Sequence, residues 1–331
     1  EEDNNSNPVD QPEICERIYE GDIVNPSIEE LQMFFDSGYC EVRGRVFINN
    51  DEITDLSLLS NLDYVSGNFY ISECANLISL EGSQDLDSVG GSFGITNNNQ
   101  LIEMDNAFES LRAVSDSFKI ESNTLLRTID GFRALKKIDG KLVISGLEVR
   151  AIRGFSNLKK VSNFFSVQAK KLSELNAFRD LELVGADFGI VKSDSLRAIN
   201  NFNALKSVGG NFIIELNLGL NLIDGFKNLE YVGDTLKISN ANLVSIDGFN
   251  SLESIYMVLE VIDNNALTDL DWVSNLSFVG QDIRIMYNTS LHDLCGLKYI
   301  ITNGIVGDNI IIFENGFNPS PVTIASGNCS N

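Results

Sequence analysis

The chain has 331 residues, of which 47 are acidic and 24 basic, giving a net charge of −23. That surplus opposes generic association with nucleic acid or an anionic membrane surface, both of which need a cationic face. No apolar run approaches the roughly 20 residues of a membrane-spanning helix. With no signal sequence at its start, the chain reads as the mature part of an exported protein.

Residues 1–13, EEDNNSNPVDQPE, are polar and acidic and predict a disordered tether. Residues 14–52 predict an N-terminal cap made of one helix and a first partial turn. Asn25-Pro26 looks like the helix start, with Ser27 and Glu30 offering an alternative capping box. Ile28, Leu31, Phe34 and Phe35 are spaced to share one apolar face, and Gly38 is the stop. Such a helix covers the open end of a solenoid, whose first turn otherwise exposes its core and an unpaired strand edge.

From residue 53 to 312 one unit repeats, best seen in Leu220 to Asn242. Its apolar residues fall three apart at Leu220, Ile223, Phe226, Leu229 and Val232, then two apart at Leu236 and Ile238, a spacing that fits no single helix. Eleven copies begin between Ile53 and Leu291 at steps of 23 to 25 residues. Equal-length copies predict a coil in which each strand lies beside the previous one, a rod about 50 Å long for strands about 4.8 Å apart. The strand is read at pairs such as Phe69/Ile71, Phe118/Ile120, Phe188/Ile190 and Ile283/Ile285, all expected to point inward.

Glycine or a small polar residue precedes each strand, as at Gly90-Gly91, Gly209-Gly210 and Gly233-Asp234, where a tight corner is expected to need backbone freedom. Three residues beyond the strand pair stand Asn98, Asn123, Asn217, Asn264 and Asn288, with Ser193 and Cys74 in the same register. A column of buried side chains bonding the backbone of adjacent turns accounts for this, with Cys74 a free buried thiol. Cys15 and Cys40 bracket the first segment and Cys295 and Cys329 the last; two such pairs read as terminal disulfide staples in an oxidising compartment. Residues 313–331 predict a C-terminal cap.

The strand-and-asparagine portion is similar to leucine-rich repeats. The triad-spaced portion, seen in Ile223-Asp224-Gly225-Phe226 with Leu229 and Val232, in the same set around Ile246-Asp247-Gly248-Phe249, and in Cys40-Glu41-Val42-Arg43-Gly44, more specifically resembles the receptor L domain. The resemblance covers about Cys15 to Cys329. It implies a mostly β chain folded as a right-handed, three-sided parallel β-helix with a capping helix and end disulfides, serving as an extracellular binding module. The uninterrupted run of turns, without a cysteine-rich segment or kinase, looks closest to bacterial exported or surface proteins. It suggests an outer-surface lipoprotein with a lipid anchor outside these residues. Sequons at Asn4, Asn275, Asn288 and Asn328 are few, and one falls in the buried column, against a eukaryotic glycoprotein.

No cofactor motif or metal-ligand spacing is present, and the single histidine, His292, is expected at an exposed corner, where a catalytic or metal role would need a converging second group. An acidic column, Asp105, Asp130, Asp224, Asp247 and Asp271, raises the alternative of a polysaccharide-active enzyme with stacked carboxylates. The plainer reading is turn chemistry, each carboxylate bonding the backbone amides that follow.

Binding is expected instead on the outward side of the main sheet. Its candidate residues are Phe47, Tyr70, Lys119, Lys141, Val143, Phe164, Val191, Ile213 and Lys237, beside Val258, Ile262, Arg284 and Met286. Val143, Phe164, Val191 and Ile213 fall on four successive turns and suggest a contiguous apolar strip. Residues 127–179 carry twelve basic side chains against Asp130, Asp139, Glu148 and Glu174. The expected partner is therefore an extracellular protein or an acidic glycan, with no nucleic acid.

Overall fold

A computed structural model describes residues 15–331; the expected tether at 1–13 lies outside the described residues. The chain winds as a parallel β-solenoid. The main sheet has thirteen strands, from Ile23–Val24 to Ile310–Phe313, and a second sheet has thirteen shorter strands, from Ile18–Glu20 to Ile305–Val306. The third side pairs less regularly, in one sheet of four strands (Glu103–Asp105 to Glu174–Leu175) and one of three (Ala198–Ile199 to Ser245–Ile246).

Thirteen main-sheet strands make about twelve turns rather than the expected eleven. The addition is at the ends. Ile23–Val24 is too short to register as a repeat, yet it pairs in parallel with Val46-Phe47. At the other end Ile310 lies beside Ile283. Between them the short helix Lys298–Asn303 lengthens one turn and hides the period. The N-terminal helix, Ile28–Asp36, starts on Ser27. The Ser27 hydroxyl accepts from the Glu30 amide at 3.2 Å and the Glu30 carboxylate accepts from the Ser27 amide at 2.8 Å. Disulfides join Cys15 to Cys40 and Cys295 to Cys329.

Inside, the strand pairs are buried throughout. Strand phenylalanines stack turn on turn, Phe188 on Phe212 with centroids 4.9 Å apart. A second column, Phe108, Phe132, Phe155, Phe178, Phe202, Phe226 and Phe249, stacks opposite and meets the first edge to face, as Phe212 and Phe226 do at 4.9 Å. Six of these seven, all but Phe202, have left-handed backbone, φ between 52° and 73°. That conformation costs about 1–2 kcal/mol for an L residue. Burying a phenylalanine returns about 1.5–3 kcal/mol, so the ring prevails over the backbone.

The corner glycines correct an expectation. Gly90, Gly91, Gly209, Gly210 and Gly233 do not use left-handed backbone. They are glycine because the turns touch: a Cβ on Gly233 would lie 1.9 Å from the Gly209 carbonyl oxygen. The glycine of the Asp-Gly-Phe corner has the same reason, since a Cβ on Gly248 would lie 1.9 Å from the Gly225 oxygen.

The polar column is continuous over most of the stack. Asn217 donates through Nδ2 to the Ile190 carbonyl at 2.9 Å, Asn264 to Ile238 at 3.0 Å and Asn288 to Val261 at 2.9 Å. Each Oδ1 accepts the amide of the column residue one turn earlier, as Asn98 does for Cys74 and Asn123 does for Asn98. Asn240 and Asn315 belong to it as well. Asn240 sits one residue closer to its strand than Asn217 does, which took it out of the sequence register.

That offset follows a rule. Where the column residue stands three past the strand pair, the residue before it is left-handed: Glu73, Asn97, Ser122, Lys192, Leu216, Asp263, Tyr287 and Glu314. Where it stands two past, at Asn50, Gly146, Ala169 and Asn240, no left-handed residue precedes it. The repeat length is therefore set at this corner, by the presence or absence of one looped-out residue.

Candidate binding face and corner notch

Register places the outward side chains of the main sheet in rows. One row runs Phe47, Tyr70, Gly94, Lys119, Val143, Ser166, Gly189, Ile213, Lys237, Glu260, Arg284. Six of the nine expected binding residues share it, all half-buried. Tyr70 lies across Gly94, where a Cβ would come within 2.3 Å of the ring. Around Gly189 a Cβ would meet only the Phe165 oxygen, at 3.9 Å, leaving an opening between Ser166 and Ile213. Among the described residues no helix covers this face: the α-helices lie at the two ends of the stack.

The expected apolar strip does not form. Val143 and Ile213 are separated in their row by Ser166 and Gly189. Phe164 belongs to the row before, level with Lys141, since the Phe118 amide donates to the Lys141 carbonyl and the Leu142 amide to that of Phe164. Val191 belongs to the row after, opposite Glu215. Position along the strand separates what successive turns suggested. Val258 is buried.

The basic stretch is also dispersed. Lys137 and Lys160 are paired in the second sheet, while Arg127 and Arg150 follow one another on the third side. Several are neutralised: Arg153 grips Glu174 with two contacts of 2.9 and 2.7 Å, and Lys171 holds Glu148 at 2.6 Å. These contacts hold the Glu174 and Glu148 carboxyls below their ordinary range, the hydrogen bond from Arg153 and from Lys171 being the main cause. On the main face Lys237 pairs with Glu215 and Arg284 with Glu260, whereas Lys119 and Lys141 have no carboxylate partner among the described residues.

Most carboxylates of the acidic column are engaged in separate local contacts. Asp105 and Asp130 are strand partners, but Asp130 is taken by Arg133 and Asp224 by Lys227 at 2.9 Å. Asp247 accepts from the Ser245 hydroxyl at 2.9 Å, and Asp271 opens a short 3-10 helix, Asp271–Val273. The expected bonds from following backbone amides occur elsewhere, where Asp55 accepts from the Ser57 amide and Asp293 from that of Cys295. Desolvation, with Asp269 and Asp293 nearby, raises the Asp271 carboxyl. Among the described residues no group of three or more His, Cys, Asp or Glu gathers to hold a metal. His292 is exposed and contacts Asn331 at 2.9 Å. Burial raises the Cys74 thiol, keeping it protonated and a poor nucleophile.

Two features were missed by the sequence reading. Along the second sheet the half-buried Tyr231 and Phe278 flank the exposed Tyr256 in an aromatic run, with centroids 5.0 and 5.3 Å apart. At the corner after the main sheet lies a notch of about 630 Å³. Its floor is Ser145, Gly146, Leu147, Gln168 and Lys170, on two consecutive short turns. Its rims are Ser122–Thr124 on one side and Lys192, Asp194, Leu216 and Leu218 on the other. The rims carry left-handed loop residues at Ser122, Lys192 and Leu216 and the floor has none, so the recess is one residue deep on two adjacent turns. The signal was in the sequence: two successive steps of 23, with glycine and alanine replacing the column asparagine.

No solved structure matches the chain. Across residues 204–304, where the Ile223-Asp224-Gly225-Phe226 and Ile246-Asp247-Gly248-Phe249 corners lie, the chain matches the Receptor L domain family.

Proposed function

We propose that this chain is a non-enzymatic binding module working outside the cytosol, and that its partner, a protein or an acidic glycan, seats on the outward face of the main sheet. The observation that carries this reading is a thirteen-stranded parallel sheet with one face left uncovered by the described residues. Parallel sheets are ordinarily covered on both faces, and this face presents Phe47, Tyr70, Val143, Phe164 and Ile213 with Lys119 and Lys141, which have no carboxylate partner among the described residues. The match to a receptor domain family over residues 204–304 supports a binding role, and the two disulfides support an oxidising compartment.

The test is an array of extracellular proteins and glycans probed with the purified chain and with a Lys141→Glu, Phe164→Ala variant. These residues occupy equivalent positions on adjacent turns, so the double change alters one patch. The variant is expected to lose at least tenfold in affinity for the partner found; unchanged binding would sink the choice of face. Attachment to a bacterial outer surface through the N-terminal side is part of the proposal. It is supported by the acidic composition of residues 1–13, and cell fractionation of the full-length gene product tests it.

A further inference from the structure

We infer that the corner notch is a second, distinct recognition site, and that it takes an extended peptide presenting an apolar side chain beside a carboxylate. The inference rests on the binding-module reading but not on its choice of face, since the notch centres on the corner after the main sheet, which contributes only the strand-end residues Ser145 and Gln168.

Shape argues for a peptide. The notch is lined from five consecutive turns, those of Ser122–Thr124, Ser145–Leu147, Gln168–Lys170, Lys192–Asp194 and Leu216–Leu218. Strands about 4.8 Å apart give it a length of about 19 Å, which an extended chain of about six residues spans. Its volume falls within the usual range of ligand clefts.

Chemistry specifies what the peptide carries. Leu147, Leu216 and Leu218 are 67%, 49% and 52% exposed in a corner where most homologous turns place polar residues. They form an apolar lining that includes no aromatic ring for a sugar to stack on. Lys170 and Lys192 bring two ammonium groups, neither with an ion-pair partner among the described residues, whereas the adjacent Lys171 is held by Glu148. Against them stands Asp194, so the lining is net positive on a chain of net charge −23.

A third group points the same way. The amides of Asn98, Asn217, Asn240, Asn264 and Asn288 each donate to the column side chain of the following turn. For Asn123 that turn supplies Gly146, which has no side chain, so its amide lacks this acceptor. A ligand carboxylate or carbonyl oxygen can take its place, because buried N–H groups seek a partner.

The test uses the full chain and dansylated hexapeptides read by fluorescence anisotropy. One ends in Leu-Phe with a free carboxylate, one is the same peptide amidated, and one is amidated but carries Leu-Phe-Glu internally. Binding by either carboxylate peptide at least tenfold tighter than the neutral amide is expected. Preference for the first identifies a chain terminus as the source of the anion, and preference for the third an acidic side chain. Lys170→Glu with Lys192→Glu should remove that advantage, and Leu147→Gln should weaken all three peptides; these side chains are exposed, so the fold should persist. Equal binding of the amide, indifference to these substitutions, or no binding of any peptide would overturn the inference. A chain that takes no peptide here yet keeps a partner sensitive to Lys141→Glu and Phe164→Ala refutes only the notch.

Discussion

Asn217 and Asn240 hold adjacent turns together twice over, the Asn217 amide and its Nδ2 both donating to Asn240 Oδ1, at 3.0 and 3.1 Å. Both residues are buried. Asn217→Ala therefore strands the Ser193 amide, which donates to Asn217 Oδ1, and the Ile190 carbonyl loses one donor. Urea unfolding is expected to show a loss of about 1–3 kcal/mol. A loss below about 0.5 kcal/mol would mean that the column fills space without binding turns.

Two glycines should respond in opposite ways. Gly248→Ala puts a methyl against the Gly225 oxygen and forces two turns apart, an overpacking expected to cost about 1–3 kcal/mol or more. Gly189→Ala makes only an ordinary van der Waals contact in a strand and should stabilise by about 0.5–1 kcal/mol. Thermal melts of the two variants decide it, and a fall in both would sink the close-approach account.

Arg153 and Asp271 give pH effects of opposite sign. The Glu174 carboxyl is held low by Arg153, so that contribution is complete above the unfolded carboxylate range and disappears as pH falls through the lowered folded value. Arg153→Ala should destabilise at pH 7 by at most about 1 kcal/mol, since the pair is solvent-exposed, and not at about pH 2. The Asp271 carboxyl is raised, so the folded state is penalised above the raised value and not below the unfolded one. Asp271→Asn should raise the melting temperature slightly at pH 7 and leave it unchanged at about pH 2. Melting temperatures across that range provide the comparison.

The end staples close loops of 25 and 34 residues. Replacing either cysteine pair by serine is expected to cost about 3–4 kcal/mol in the chain-entropy account. The loss should be local, because each turn of a solenoid contacts only its neighbours. Hydrogen exchange should quicken at the opened end and stay slow near Phe188 and Phe212. Uniform quickening would show instead that the coil melts as one unit.

The inward pairs and most of the asparagine column were legible because each depends only on spacing within one unit, as Phe188, Ile190 and Asn217 show. What depends on comparing units was harder to read. Phe164, Val191 and Ile213 look adjacent by turn number, but their positions along the strand assign them to different rows. The steps of 23 at Gly146 and Ala169 resembled harmless drift, because the left-handed residue they omit has no fixed identity: it is Ser122 on one turn, Lys192 on another and Leu216 on a third. The strand at Ile310–Phe313 was hidden by the helix inserted ahead of it.

The looped-out corner residue has an evolutionary implication. Because the strand before it and the asparagine after it hold position whether or not it is present, a single-codon deletion or insertion there reshapes the protein's outline without shifting its interior. A lineage could carve or refill pockets along this edge one turn at a time, trying new ligands while the hydrophobic stack beneath stays unaltered.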